Sequence, residues 1–118
     1  MRKTRRTSRV GETVRDALVE VLRFDVKDLA MGLSSITEVE VSPDLHFARV
    51  FVSGFREEET RKLVDDLRQR QGRIRSALGK RIHLRYTPEL DFRYDDTAAR
   101  AGRIEELLKE NPPRDDES

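Results

Sequence analysis

The residues with the greatest potential for chemistry lie in one basic segment, residues 68–87. It contains seven Lys or Arg residues and no acid, in a chain of 118 residues whose formal net charge is only +1. Such segregation of one charge gives a surface potential that attracts polyanions. Ser76-Ala77-Leu78-Gly79-Lys80 stands at its centre. We interpret the segment as a phosphate-binding surface and RNA as the polyanion.

Two interpretations of Ala77-Leu78-Gly79 follow from its residues. Glycine is the commonest helix terminator, and Lys80 would then bond the last carbonyls of the helix. Alternatively, a kink between two helices exposes N–H groups of the second helix, where an anion docks beside Lys80 and Arg81. The local sequence favours the first interpretation.

The candidates for catalysis are weak. Cysteine is absent, which excludes thiolate metal sites and cysteine nucleophiles. The two histidines, His46 and His83, lie far apart and each is next to an apolar residue, so we expect structural or surface roles for both. Asp95-Asp96 is the only basis for a nuclease and stands where a helix cap is needed. We therefore predict no enzyme activity, no cofactor and no metal site.

Composition limits the size of the core and the compartment. Charged residues make up 40% of the chain and hydrophobic residues 36%, which predicts one domain with a thin, two-layer core. No run approaches the roughly 20 apolar residues of a membrane span. The simplest expectation is a cytoplasmic protein without a membrane partner.

The elements that would position the basic segment are helices and strands in alternation. Apolar spacing predicts a first helix with Ser8 as its N-cap and an end near Phe24-Asp25, after a flexible basic arm over residues 1–8. The buried face of this helix consists of Val10, Val14, Ala17, Leu18, Val21 and Leu22. Alternation then predicts a strand that buries Thr37, Val39 and Val41, the turn Ser42-Pro43-Asp44, and a second strand over 47–52.

The second half of the chain follows the same logic. A long helical segment opens on three glutamates and buries a stripe made of Leu63, Val64, Leu67, Ile74 and Leu78. A third strand covers 90–94, and a last helix after Asp96-Thr97 turns Ala101, Ile104 and Leu107-Leu108 inward. We therefore predict a domain of residues 9–110 and a disordered tail of residues 111–118. The fold class is α+β, with a three-stranded sheet covered by helices on one face.

Separated blocks of the sequence resemble a known family. They are Val39-Glu40-Val41-Ser42-Pro43-Asp44-Leu45, Ala48-Arg49-Val50-Phe51-Val52-Ser53, Ile74-Arg75-Ser76-Ala77-Leu78-Gly79-Lys80-Arg81-Ile82 and Leu84-Arg85-Tyr86-Thr87-Pro88-Glu89-Leu90-Asp91-Phe92. In this order they resemble bacterial ribosome-binding factor A, and the resemblance extends over nearly all of residues 5–110.

The resemblance implies a single type II KH-like domain of order α-β-β-α(kink)α-β-α that is monomeric when free. It further implies binding to the 30S ribosomal subunit and its 16S rRNA or precursor, help with late rRNA processing and folding, and an association with cold adaptation. In this family an Ala-x-Gly kink replaces the usual KH loop, and here it falls on Ala77-Leu78-Gly79.

Charge placement and the kink together predict the RNA-binding residues. They are Arg70, Arg73, Arg75, Ala77, Leu78, Gly79, Lys80, Arg81, Arg85, Arg5 and Arg6. The alternative is a protein-interaction module that uses its exposed sheet face and does not bind RNA directly. Phe47 and Phe51, on either side of Arg49, are either part of the core or a platform on which RNA bases stack.

Overall fold

The computed structural model describes residues 4–26, 29, 31 and 34–96. Its elements are α1 (Arg5–Glu20), a π-helical turn (Val21–Asp25), β1 (Ser35–Val41), β2 (Phe47–Ser53), α2 (Glu57–Gln69), α3 (Gln71–Arg81) and β3 (Glu89–Tyr94). The predicted α+β class and the three-stranded sheet are confirmed. The predicted last helix, which follows Asp96-Thr97, and the predicted tail of residues 111–118 lie outside the described residues.

The sheet has the order β1-β2-β3. β1 and β2 form an antiparallel hairpin, whereas β3 runs parallel to β2, so α2 and α3 form the crossover that parallel pairing requires. Ala48, Val50 and Val52 of β2 are fully buried, and Phe47 on the opposite face is 51% exposed. The side chains that alternate with Phe47 therefore meet the helices, which the sequence alone did not decide.

A β-bulge corrects one prediction about β1. The pairing of β1 with β2 shifts between Ile36 and Glu38, which inserts Thr37 as an extra residue. Thr37 is exposed, and Ile36 shares the buried face with Val39 and Val41. Strict alternation was the wrong assumption at this one position.

The start of α1 corrects a second prediction. Thr4, not Ser8, is the N-cap, and Thr4 and Thr7 form a reciprocal capping box. The Thr4 Oγ1 accepts the Thr7 N–H at 3.2 Å, and the Thr7 Oγ1 accepts the Thr4 N–H at 2.7 Å. Because these bonds stabilise the first turn, residues 5–8 are helical and do not form an arm. The helical segment ends at Asp25, which confirms the predicted end. Its last five residues form a π-helical turn that was not predicted, closed by a 3.0 Å bond from the Val26 N–H to the Val21 carbonyl.

The break between α2 and α3 corrects a third prediction. A break exists, but it falls at Arg70, whose φ of −102° and ψ of 13° leave the helical range. Ala77-Leu78-Gly79 lies inside α3, which continues to Arg81. Neither a helix end nor a kink is present at that glycine. Gly79 instead allows a close approach, because a Cβ atom there would stand 2.9 Å from the Thr87 Oγ1.

The core lies between the sheet and the helices. The predicted stripe of the second half is confirmed, since Leu67, Ile74 and Leu78 are fully buried and Leu63 and Val64 nearly so. On α1 and the turn that follows it, Val14, Leu18 and Val21 are also fully buried. None of the described helices is long and apolar enough to cross a membrane.

Candidate nucleic-acid interface

Helix α3 positions most of the predicted RNA-binding residues. Ile74 and Leu78 anchor one side of the helix in the core, which turns the exposed Arg73 and Lys80 outward. Leu78 itself is fully buried, so its side chain packs in the core and presents no contact surface. The rest of the helix surface divides into two shallow depressions that share Ser76.

The first depression is a groove of about 530 Å³, which we name the Lys80 flank. Its lining is Asp25, Arg73, Ser76, Ala77, Lys80 and Arg81. Four predicted residues therefore meet in one groove. The sequence did not predict that an acid would stand among them.

The acid binds Arg81 closely. The Arg81 guanidinium donates to Asp25 through Nε to Oδ2 at 2.6 Å and through Nη2 to Oδ1 at 2.9 Å, and its Nη1 donates to the Glu20 Oε2 at 3.1 Å. This bidentate pairing lowers the pKa of the Asp25 carboxyl and raises the pKa of Arg81. Arg81 therefore joins α3 to the π-helical turn, and much of its charge is already compensated.

The second depression, of about 500 Å³, is named the Tyr86 flank. Its lining is Gln71, Gly72, Arg75, Ser76, Gly79, Arg85, Tyr86 and Thr87. Among the described residues, no acid lines it. Arg75, Gly79 and Arg85 are the predicted residues that it brings together.

Arg75 supports the wall of the Tyr86 flank. Its Nη2 donates to the Thr87 carbonyl at 2.7 Å, and its Nε lies 3.2 Å from the carbonyl oxygens of both Thr87 and Pro88. These bonds satisfy carbonyls of the segment that joins α3 to β3. Arg75 is thus half-buried and engaged with the backbone.

Arg70 and the arginines of α1 are not among the residues that line either depression. Arg70 occupies the break, and at about 1.5 Å of rise per residue Lys80 lies roughly 15 Å further along α3. The predicted cradle of free N–H groups beside Lys80 and Arg81 is therefore not formed. Arg5 begins α1, about 22 Å of helix from Glu20, which contacts Arg81. Neither Arg5 nor Arg6 lines the Lys80 flank or the Tyr86 flank.

Sequence reasoning missed two residues of this surface and used one that has another role. It missed Asp25 and Tyr86, although Tyr86 lies within the acid-free segment, where an aromatic residue between basic ones is a usable signal. It counted Arg68 among the cations, yet the Arg68 Nε donates to the Phe92 carbonyl at 2.9 Å and joins α2 to β3.

Other candidates from the sequence lie away from α3. Phe47 and Phe51 lie on the open sheet face, where the Arg49 Nε is 3.8 Å from the Asp91 Oδ2. The Asp95 Oδ2 accepts a 2.9 Å hydrogen bond from the Thr37 hydroxyl. Within the part of the chain that the structure describes, no group of three or more acidic or histidine side chains is arranged to hold a metal ion.

Comparison with known proteins identifies the family. The family model described as ribosome-binding factor A matches residues 6–108. The chain belongs to the ribosome-binding factor A family. Ribosome-binding factor A of Halothermothrix orenii is 43% identical over 108 residues, which is 91% of this chain and 88% of that protein. The Brevibacillus brevis member of the family is 42% identical over 111 residues, 93% of this chain and 91% of its own.

Solved structures of the family share the fold. The crystal structure of ribosome-binding factor A from Thermus thermophilus has a TM-score of 0.65 and 27% identity, and the alignment covers 75% of this chain and 94% of that one. A homology model of the same Thermus protein, fitted into a cryo-EM map of its complex with 30S, has a TM-score of 0.64 and 26% identity. That alignment covers 77% of this chain and 97% of the Thermus chain.

Proposed function

We propose that this protein is a maturation factor for the small ribosomal subunit. It binds immature 30S subunits in the cytoplasm and assists late processing and folding of 16S rRNA without catalysing a reaction itself. The observation that carries the proposal is the similarity to the Thermus ribosome-binding factor A fitted into a map of its 30S complex. Membership in the same family over residues 6–108 extends that similarity to nearly the whole domain.

The surface of α3 supports RNA as the contacted component. Arg73 and Lys80 are exposed on the Lys80 flank, and Arg85 is exposed on the Tyr86 flank. Cations that neutralise phosphates release condensed counterions, which supplies affinity without reading base sequence. We therefore propose that docking on folded rRNA depends on charge and shape. The described element order, α-β-β-α-α-β, supports the proposal of a type II KH-like domain.

Sedimentation tests this function. The full chain is mixed with immature and with mature 30S subunits at low and moderate salt, and its co-migration is measured. We expect binding to immature subunits that weakens with salt, by a log–log slope of about 0.7 to 0.9 per phosphate neutralised. Absence of co-migration with either kind of subunit would overturn the proposal.

The open sheet face favours a second candidate, a protein-interaction module. Phe47 is 51% exposed there, and the Arg49 Nε lies 3.8 Å from the Asp91 Oδ2 on the same face. Aromatic and arginine side chains are enriched where proteins bind other proteins. If the protein binds RNA, Arg73→Glu with Lys80→Glu should abolish subunit binding and Phe47→Ser should preserve it. If the protein is an interaction module, the double variant should preserve binding and Phe47→Ser should abolish it. Arg75 and Arg81 are left intact because the fold uses them.

A further inference from the structure

We propose that Tyr86 is the stacking platform for one unpaired RNA base, which the Tyr86 flank receives. This inference rests on the proposed function, since it takes RNA as the ligand. Tyr86 is 49% exposed and lines a depression without acids among the described residues. An exposed aromatic ring beside a cationic groove is the arrangement with which proteins bind unpaired bases.

The ring is presented by a well-supported segment. Arg75 bonds the Thr87 and Pro88 carbonyls, and Gly79 allows Thr87 to approach α3. Pro88 is fully buried immediately beyond them. On the other side, the His46 carbonyl accepts the Glu89 N–H at 2.8 Å, which joins the β1–β2 turn to the start of β3. A platform held in this way loses little conformational entropy when a base binds.

Neighbouring side chains add the remaining contacts. The His46 ring centroid lies 4.7 Å from that of Tyr86 at an interplanar angle of 47°, so it supports the ring without forming a parallel stack. The Arg85 guanidinium carbon lies 5.6 Å from the Tyr86 centroid. Arg85 lies over the ring, is exposed and forms no hydrogen bond or ion pair with the described residues. A base that stacks on this face displaces the guanidinium, which is then placed to bind the adjoining phosphate.

The lining between ring and helix is polar and mostly uncharged. Gln71 offers an amide, and Ser76 and Thr87 offer hydroxyl groups. These groups donate and accept hydrogen bonds, as the edges of a base also do. The Lys80 flank, by contrast, has no aromatic residue in its lining among the residues that the structure describes. The two depressions therefore divide the recognition of RNA, with phosphates on the Lys80 flank and a base on the Tyr86 flank.

The tyrosine content of the chain allows a direct test. The sequence has no Trp and two Tyr, so Tyr94→Phe leaves Tyr86 as the only tyrosine. Tyrosine fluorescence of this variant is followed while a short single-stranded RNA is added, and then while an oligonucleotide of equal length made of abasic spacers is added. We expect the RNA to quench the fluorescence and the abasic strand to leave it nearly unchanged. Equal responses to the two strands, or no response to RNA, would overturn the inference.

The second test of the inference measures the affinity of variants for the same single-stranded RNA. Tyr86→Leu should lower the affinity for this RNA by roughly five- to 150-fold, the range expected for one stacked base. Tyr86→Phe keeps the ring and should recover most of that loss. Phe55→Leu is the matched control, because Phe55 is 88% exposed and lies outside both depressions. An unchanged affinity of Tyr86→Leu contradicts the inference.

Subunit binding separates this inference from the proposed function. Tyr86→Leu should bind immature 30S subunits more weakly than the parent chain does but keep the same salt slope, because the slope reports phosphate contacts and these are intact. If the parent chain binds subunits while Tyr86→Leu binds the single strand normally, only the base site is refuted. If the parent chain binds no subunit, the proposed function is refuted, and the fluorescence titration decides the base site by itself.

Discussion

The Lys80 flank and the Tyr86 flank are built from the same helix, yet they use arginine differently. On the Lys80 flank, Arg81 is paired with the carboxylates of Asp25 and Glu20. On the Tyr86 flank, Arg75 binds backbone carbonyls and leaves Arg85 exposed beside an aromatic ring. One surface is cationic with an internal acid, and the other is aromatic with no acid among its described lining residues.

This difference shows that counting cations in a sequence overstates the charge available to a ligand. The seven cations in residues 68–87 include Arg68, Arg75 and Arg81, each of which binds carbonyls or carboxylates of the protein itself. Arginine suits such roles because its planar guanidinium donates in several directions at once. Lys80, a compact ammonium on a flexible stem, stays exposed.

The largest expected effect comes from removing the exposed cations of the Lys80 flank. Arg73→Gln with Lys80→Gln should weaken binding to immature 30S subunits about 30-fold near 0.1 M salt and lower the log–log salt slope by about 1.4 to 1.8, because two phosphate contacts are lost. Sedimentation across a salt series measures both quantities.

The matched control removes the same charge from α2. Arg56→Gln with Lys62→Gln alters two exposed cations at the start and middle of that helix, outside both depressions. Equal effects of the two double variants would show that net charge matters and the Lys80 flank does not.

Replacing Arg75, which supports the wall of the Tyr86 flank, should lower the stability of the fold. Arg75→Met leaves the Thr87 and Pro88 carbonyls without their donors, at a cost of about 1–3 kcal/mol in the free energy of unfolding. Thermal or urea unfolding measures the loss. Lys80→Met, on the same helix but exposed, should stay within about 0.5 kcal/mol of the parent chain. Similar losses for both variants would contradict the supporting role of Arg75.

Two glycines of α3 should respond in opposite directions to the same substitution. A Cβ atom at Gly72 would meet no neighbouring atom within 4 Å, so Gly72→Ala should stabilise the helix by up to about 1 kcal/mol. Gly79→Ala meets the Thr87 Oγ1 at 2.9 Å, so crowding should outweigh the helical gain and destabilise the fold by about 1 kcal/mol. Urea unfolding compares them. A stabilised Gly79→Ala would mean that Thr87 moves aside freely.

The smallest effect is expected from the acid of the Lys80 flank. Asp25→Asn removes a negative charge from the groove and should raise affinity for immature subunits by about two- to fivefold. Binding at constant salt measures this change. A lower affinity would show that Arg81 must be held by Asp25 in order to contact RNA.

Asp25 should also make the stability of the fold depend on pH. Hydrogen bonds from Arg81 lower the pKa of Asp25 below its ordinary value of 3.8 in the folded state. The contact therefore stabilises the fold above that ordinary value and is lost as the pH falls through the lowered pKa. On acidification the parent chain should lose more stability across this range than Asp25→Asn, as followed by circular dichroism.

Much of the fold was predictable because local patterns and tertiary packing agree. The buried stripe through Leu67 and Ile74 and the alternation of Leu90 with Phe92 mark a helix face and a strand face in the sequence itself. The bulge at Thr37 left no such mark, because one inserted residue is invisible to a two-residue period. The capping box at Thr4 was obscured by the density of arginines around it.

The site was less predictable because its decisive contacts join distant segments. Arg81 and Asp25 are separated by 56 positions, so no local pattern reveals that they pair. Gly79 suggested a break because glycine usually interrupts helices, whereas here it makes room for Thr87, which returns to α3 from the following segment. The actual break at Arg70 carries neither glycine nor proline.

The parallel pairing of β3 with β2 has a consequence for the order of assembly during folding. The β1–β2 hairpin closes over a short turn, whereas β3 pairs with β2 only after the whole segment between Ser53 and Glu89 has formed. Contacts between distant positions cost more loop entropy and form later. We expect pulsed hydrogen exchange to protect the β1–β2 amides before those of β3, so that Tyr86 becomes able to hold a base only in the last stage of folding. Simultaneous protection of all three strands would refute this order.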